Sequence, residues 1–265
     1  MKDTDLILVN DLSKLNREIS GITLFPGEEI IYAINDSGNS NSIFLLDLKG
    51  EIKKEIRIPN TKNKDWEDLA YDHKHTLYIG DFGNNDNDRK DLVVYKISQI
   101  SSNTPVAKEI RFTLEDQKKF PPKKKNRNFD IEAMIFRNNY LYLFSKNRNS
   151  KFEGITKLYK MPAQPGNHVA KLIATFETCG DEKDCFVTGA AVNKDGSKIV
   201  LLTYNKLFVL SDFKDDDFFE GNIEKIKLNH YSQKESICFK NDSILLITDE
   251  GSGKSAGNLY EYHLD

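Results

Sequence analysis

An all-β chain folded as a five-bladed β-propeller, with four-stranded antiparallel blades, is the class this sequence predicts. Three observations carry that prediction. A short polar-then-apolar phrase occurs five times, starting at Ser20, Glu67, Glu132, Thr188 and Glu235, with spacings of 47, 65, 56 and 47 residues. A second apolar run trails each phrase and ends 14 to 16 residues after its first residue, at Asn35 and Asp36, Asp81, Lys146, Tyr204 and Asp249. Each unit then continues with further strand-length apolar runs, so the repeated object is a small sheet and the period is that of a propeller blade.

The elements follow in order within each unit. The two phrases are strands of about five residues joined by a tight turn, and the gaps between them hold turn formers such as Asn138 with Asn139, Lys194 to Gly196, and Asn241 with Asp242. Third strands are predicted at 42–48, 92–97, 156–161, 207–210 and 258–263, and fourth strands at 52–58, 108–114, 170–176 and 223–228. The blades cover approximately 16–60, 61–116, 128–178, 184–229 and 231–265 of a single domain spanning 1–265. The last unit runs out of chain after its third strand. The apolar segment 5–9 has no partner of its own and supplies the fourth, closing the ring and removing two exposed edges.

Composition bounds the function. Thirty-eight basic and forty-one acidic side chains give a net charge of −3, so no nucleic-acid partner is predicted. Apolar runs are of strand length, so no transmembrane helix is predicted, and a monomer is expected. The first residues carry no basic segment followed by a long apolar stretch. The chain as given reads as cytoplasmic, or as exported if a signal has been trimmed. Cys238 falls inside a predicted strand as a small hydrophobe. Cys179 and Cys185 bracket a short loop, either as a disulfide or as two free thiols.

Geometry turns the repeat into chemistry. The first strand of each blade lines the central channel, so Ser20, Glu67, Glu132, Thr188 and Glu235 converge at one mouth. Three carboxylates on one axis repel unless a cation or a proton intervenes. An all-oxygen ring selects a hard ion, calcium before magnesium; the alternative is that the glutamates cap strands around trapped water. The ends of the second strands return to the same face and form a second ring of Asn35, Asp36, Asp81, Lys146, Asn147, Tyr204 and Asp249. Loops carrying Arg89 and Arg148 leave from there, and the insert of Lys118, Lys119, Lys123, Lys124, Lys125 and Arg127 overhangs it. A cation with a basic rim suits an anionic ligand. The run Gly251 to Ser255 resembles part of a phosphate loop but lacks its spacing and the helix that should follow.

The axial ring resembles the calcium site of the calcium-dependent apyrases, five-bladed propellers that hydrolyse nucleoside di- and triphosphates. Their ring runs Ser, Glu, Glu, Ser, Glu, so Thr188 is a hydroxyl-for-hydroxyl departure. The phrases at 19–23 and 66–72, together with Asp81 to Asn85, Lys146 to Arg148 and Val187 to Ala191, are similar to the SdiA-regulated type of bacterial propeller and to a group of commonly exported bacterial propellers. The resemblance spans all five units. It implies the fold and an axial calcium; apyrase activity carries over poorly, because the nucleotide-contacting loops do not match clearly.

Two functions from different classes follow. In the first, a calcium-bearing recognition module binds an anionic small molecule, glycan or protein on the ion's face, through Asp36, Tyr204, Arg89 and Asn147. In the second, a calcium-dependent hydrolase cleaves a phosphoanhydride or phosphoester: Lys146 and Arg148 neutralise charge, and Asp81 or Asp249 orients water. Five scattered histidines offer no Ser, His and Asp constellation.

Overall fold

Short β-branched and aromatic runs between Asn, Asp and Gly turns form twenty-one strands in the computed structural model, which describes residues 3–4, 6–72, 74–102, 104–251 and 255–264. Two strands open the chain, β1 (Asp3–Thr4) and β2 (Ile7–Asp11). A first antiparallel meander runs through β3 (Ile19–Leu24), β4 (Ile30–Asn35), β5 (Ser42–Asp47) and β6 (Ile52–Arg57). A second comprises β7 (Trp66–Tyr71), β8 (Leu77–Asp81), β9 (Leu92–Ser98) and β10 (Val106–Leu114). The third is β11 (Asp130–Arg137), β12 (Tyr140–Lys146), β13 (Ile155–Pro162) and β14 (Gly166–Glu177), and the fourth β15 (Gly189–Val192), β16 (Ile199–Leu202), β17 (Lys206–Ser211) and β18 (Asn222–Leu228). The last has β19 (Lys234–Asn241), β20 (Ile244–Asp249) and β21 (Asn258–His263), and β2 completes it antiparallel to β21. The closing strand thus comes from the N-terminal segment, shifted to Ile7–Asp11; Asp5 lies outside the described residues.

The inner strands β3, β7, β11, β15 and β19 touch in cyclic order, with β19 returning to β3. Five hydrophobic clusters lie between successive meanders. Trp66, Ile79 and Ile97 pack with Ile34 and Ile43 across the first junction, and Leu246 and Leu259 pack with Ile19 and Phe44 across the last. Burial between neighbours, worth roughly 25 cal/mol per Å² of apolar surface, therefore holds the ring together at every junction.

Hydrogen bonding departs from five separate sheets. Among the described residues there are four, because β10 and β14 pair in parallel, with Ile110 opposite Gly166 and Leu114 opposite Ala170. The cause is the length of β14. Its pairing with β13 uses residues 171–177, so residues 166–170 project beyond it and dock on the outer edge of the second meander. In the same way β1 lies parallel on β18 and covers that edge. Cys179 and Cys185 form a disulfide with a Cα–Cα distance of 5.6 Å, and Cys238 is a buried free thiol.

Candidate metal and anion site

The inner strands deliver their polar residues by a shared distortion. In β3, β7, β11 and β19 the register slips by one residue, and the extra residue is Ser20, Glu67, Glu132 and Glu235 respectively. Such bulges bend a strand and re-aim a side chain. Thr188 stands immediately before β15, its N–H bonded to the Leu202 carbonyl at 3.0 Å. All five of these residues are buried.

The two hydroxyls stitch neighbouring units. Ser20 donates to the Trp66 carbonyl at 2.7 Å, and Thr188 donates to the Lys234 carbonyl at 2.6 Å. The next residue along does the same elsewhere: Ser236 Oγ accepts from the Ile22 N–H at 2.5 Å, and Asp68 Oδ2 accepts from the Met134 N–H at 2.7 Å. Burial pushes the Asp68 carboxyl well above the usual carboxylate range. Asp68→Ala is expected to destabilise by about 1–3 kcal/mol, because a buried amide loses its acceptor. Asp68→Asn keeps an acceptor oxygen and should lose less, which urea titration of the two variants checks.

One half of the mouth is cation-rich. Lys146 Nζ donates to Glu132 Oε2 at 3.0 Å, and Arg148 reaches Glu132 Oε1 at 3.1 Å and Asp130 Oδ2 at 2.6 Å. Burial would raise the Glu132 carboxyl, but the two cations hold it below its ordinary value. Asp130, fully buried and beside Glu132, is pushed up to about 8. Burial likewise pushes Glu235 up to about 8, Lys146 opposing the shift and Glu132 adding to it. Both cations lie over the Phe186 ring, Lys146 Nζ at 5.5 Å and the Arg148 guanidinium carbon at 5.7 Å, while Tyr204 stands 6.0 Å from Lys146.

The other half is acidic. Carboxylate oxygens of Asp36, Asp65 and Glu67 all lie within 4.8 Å of one another. Burial and neighbouring carboxylates push Asp65 up to about 7, and they raise Asp36 and Glu67 as well. Glu250 nearby rises to about 7 through burial and the charge of Asp36. Glu67 is only 9 % exposed, and among the described residues no hydrogen-bond donor or cation contacts its carboxylate. Gly83 closes over this group: a Cβ there would stand 2.1 Å from Glu67 Oε1 and 2.4 Å from Asp65 Oδ2. A side chain at position 83 would push these two carboxyl groups aside.

The remaining sequence-predicted residues are held by their own loops. Asp81 pairs with Arg89 at 2.9 Å and accepts from the Asp65 N–H at 3.2 Å; Arg89 also donates to the Gly83 carbonyl at 2.8 Å. Asp249 accepts from the Asn258 N–H at 2.7 Å and the Tyr260 hydroxyl at 2.8 Å. Asn147 accepts from the Asn149 N–H at 3.0 Å, as a turn former does. Asn35 donates from Nδ2 to the Leu15 carbonyl at 2.6 Å. The basic insert abuts the mouth through its backbone, with the Arg148 N–H on the Arg127 carbonyl at 3.0 Å, while Lys118, Lys119, Lys123, Lys124 and Lys125 stay exposed. Residues 252–254 of the Gly251 to Ser255 run lie outside the described residues, as does His73.

The chain is similar in fold to the PQQ-bound aldose sugar dehydrogenase from Streptomyces coelicolor, with a TM-score of 0.55 at 9 % identity over 97 % of this chain and 96 % of that one. A nidogen/laminin complex structure gives a TM-score of 0.51 at 13 % identity over 87 % and 72 % of the two chains. Both neighbours are propellers. The fold is a β-propeller. An inactive variant of virginiamycin B lyase from Staphylococcus aureus, solved with quinupristin, gives a TM-score of 0.43 at 15 % identity over 94 % and 68 %. No family model matches the propeller described here, and no curated protein does. The resemblance to the SdiA-regulated propellers and to the apyrases therefore has no family match behind it. Among the described residues no helix is long and apolar enough to cross a membrane.

Sequence reasoning missed three members of this propeller's acidic mouth: Asp65, Asp130 and Glu250. A signal for two of them was present. Asp65 and Asp130 each stand two residues before Glu67 and Glu132, an acidic spacing that the two units share.

Proposed function

We propose that the chain is a single five-bladed propeller that binds one hard divalent cation, calcium rather than magnesium, at one mouth of its channel and recognises an anionic ligand beside it. The observation that carries this reading is Glu67, a buried carboxylate without a donor or counter-charge among the described residues, gathered with Asp36 and Asp65 under Gly83. A buried uncompensated charge is costly, and an all-oxygen donor set with room for water and backbone carbonyls suits calcium. Ser20, Glu132, Thr188 and Glu235 line the same mouth; their lone pairs can support the ion directly or through water. A bound cation would supply positive charge to an anion that Arg148, the more exposed of the two cations, meets from the other side, while Lys146 stays on Glu132 and holds that carboxylate in place. Small-molecule carboxylates or phosphates, acidic glycans and acidic protein segments all carry the required group, and Tyr204 would bound the ligand.

Calcium-dependent hydrolysis of a phosphoanhydride or phosphoester is the second reading, favoured by the cations placed beside the metal group. It requires a carboxylate to orient water. Asp81 is paired with Arg89, and Asp249 is bonded to Asn258 and Tyr260, so recognition is the reading the geometry supports better. Thermal unfolding in calcium and in chelator, with phosphate release from ADP, ATP and a generic phosphoester followed in the same samples, separates the two. Calcium at a hundred times its Kd should stabilise by about 2.7 kcal/mol. Stabilisation without turnover supports recognition, turnover that chelator abolishes supports the hydrolase, and the absence of stabilisation overturns both.

A further inference from the structure

The opposite mouth of the channel carries a second hollow, remote from the carboxylates. The turns that join the first and second strands of each meander ring this mouth, and an apolar plug from all five inner strands, among them Leu69, Met134 and Ile237, leaves only about 20 Å³ between the two ends. Beside the plug, between the second, third and fourth meanders, lies a hollow of about 360 Å³. That is the size of a small-ligand pocket. Two smaller hollows of about 250 and 170 Å³ adjoin it, and Lys194 lines all three.

The walls are pinned before any ligand arrives. Asp72 accepts from the Lys74 and Thr76 N–H groups at 2.8 and 3.1 Å, which fixes one turn. Asn193 accepts from the Lys198 N–H at 2.9 Å, and Arg137 donates to the Gly196 and Asp215 carbonyls at 3.0 and 2.8 Å, which fixes the next turn against the third meander. A preformed pocket loses little freedom on binding.

Its chemistry is that of an anion site with an aromatic side. Lys74, Lys96, Arg137 and Lys194 line it against two carboxylates, Asp72 and Asp195. Both carboxylates are already engaged, Asp72 as above and Asp195 by the Ser197 N–H at 2.9 Å and hydroxyl at 2.5 Å. The ammonium groups of Lys74 and Lys194 are exposed and have no hydrogen-bond or ion-pair partner among the described residues. Phe136 and Tyr71, both half-buried, give the hollow its aromatic side, and Phe136 is held from behind by Tyr78, which is buried and stacked on it at 5.3 Å with the planes 17° apart. We infer that this hollow is a second binding site, for a small anion built on a flat ring, whose acidic group meets Lys74 and Lys194 while its ring lies against the aromatic side.

The test is calorimetric titration with phenyl phosphate, run in chelator so that the carboxylate mouth holds no metal, with inorganic phosphate as the ringless comparison. Wild type should bind one phenyl phosphate per chain, at least tenfold more tightly than inorganic phosphate. Lys74→Glu combined with Lys194→Glu should weaken it at least tenfold, whereas Lys194→Arg, which keeps the charge, should retain it. Both lysines are exposed, so an unchanged melting temperature confirms that the variants are folded. Equal affinity in the charge-reversed variant, equal affinity for the two probes, or no saturable binding of phenyl phosphate would each overturn the assignment.

Discussion

Lys146→Met should lower stability by about 3–5 kcal/mol, the penalty for removing one partner of a buried ion pair. The Lys146 side chain is 6 % exposed and that of Glu132 4 %, so neither charge has water to fall back on. Methionine preserves the length of the stem but removes the ammonium. Arg148 then remains as the sole cation on Glu132, and it is shared with Asp130. The stranded charge accounts for the loss, so adding Glu132→Gln to Lys146→Met should recover more than half of it. Urea denaturation of the two single variants and the double variant forms the cycle that measures this. Equal stability of Lys146→Met and wild type would show that the pair is solvated.

Metal-free protein should become less stable as pH rises from about 5 to 8. Unfolded carboxyls titrate near 4, whereas burial and crowding push Asp65 and Glu250 to about 7, and Glu235 and Asp130 to about 8. Across that window the folded chain keeps protons that the unfolded chain has released, so unfolding becomes easier as pH climbs. His230 works the other way: burial and Lys234 hold its pKa below the ordinary value, so it favours folding as pH rises toward 6.5, but it is one group against the whole set of raised carboxyls. Lys234, lowered to about 8 by burial, opposes the trend only from the top of the window upward. Calcium competes with protons for the same oxygens, so its stabilising effect should be larger at pH 8 than at pH 5. Melting curves across this range, in chelator and in calcium, give the slope. A chelator-treated protein whose stability climbs steadily from pH 5 to 8 would refute the crowded-carboxylate account.

Most of the strand order was legible because the inner strands are buried on both faces and repeat their polar start. The phrases beginning at Ser20, Glu67, Glu132 and Glu235 fall within β3, β7, β11 and β19, and Thr188 stands one residue before β15. The apolar pattern places the start of β14 at Ala170, four residues late, because its first turn-flanked residues pair with β10 of another meander and not with their own neighbour. No local pattern encodes that partner. The converging mouth was legible as a ring, but its division into halves was not. The repeat places Lys146 in the ring around the ion, yet its distance to Glu132 depends on the bulge at Glu132, which shifts the facing residues by one. Asp249 ends its strand like Asp81 and Lys146, and only the fold shows that its carboxylate caps Asn258 and Tyr260.

Calorimetric titration of calcium into metal-free protein, wild type beside Glu67→Gln, tests the central claim most directly. One ion per chain should bind wild type with release of protons near pH 7, and Glu67→Gln should lose at least tenfold in affinity while keeping its melting temperature in chelator. No heat of binding to wild type, or the same affinity in Glu67→Gln, would contradict a calcium site at this mouth.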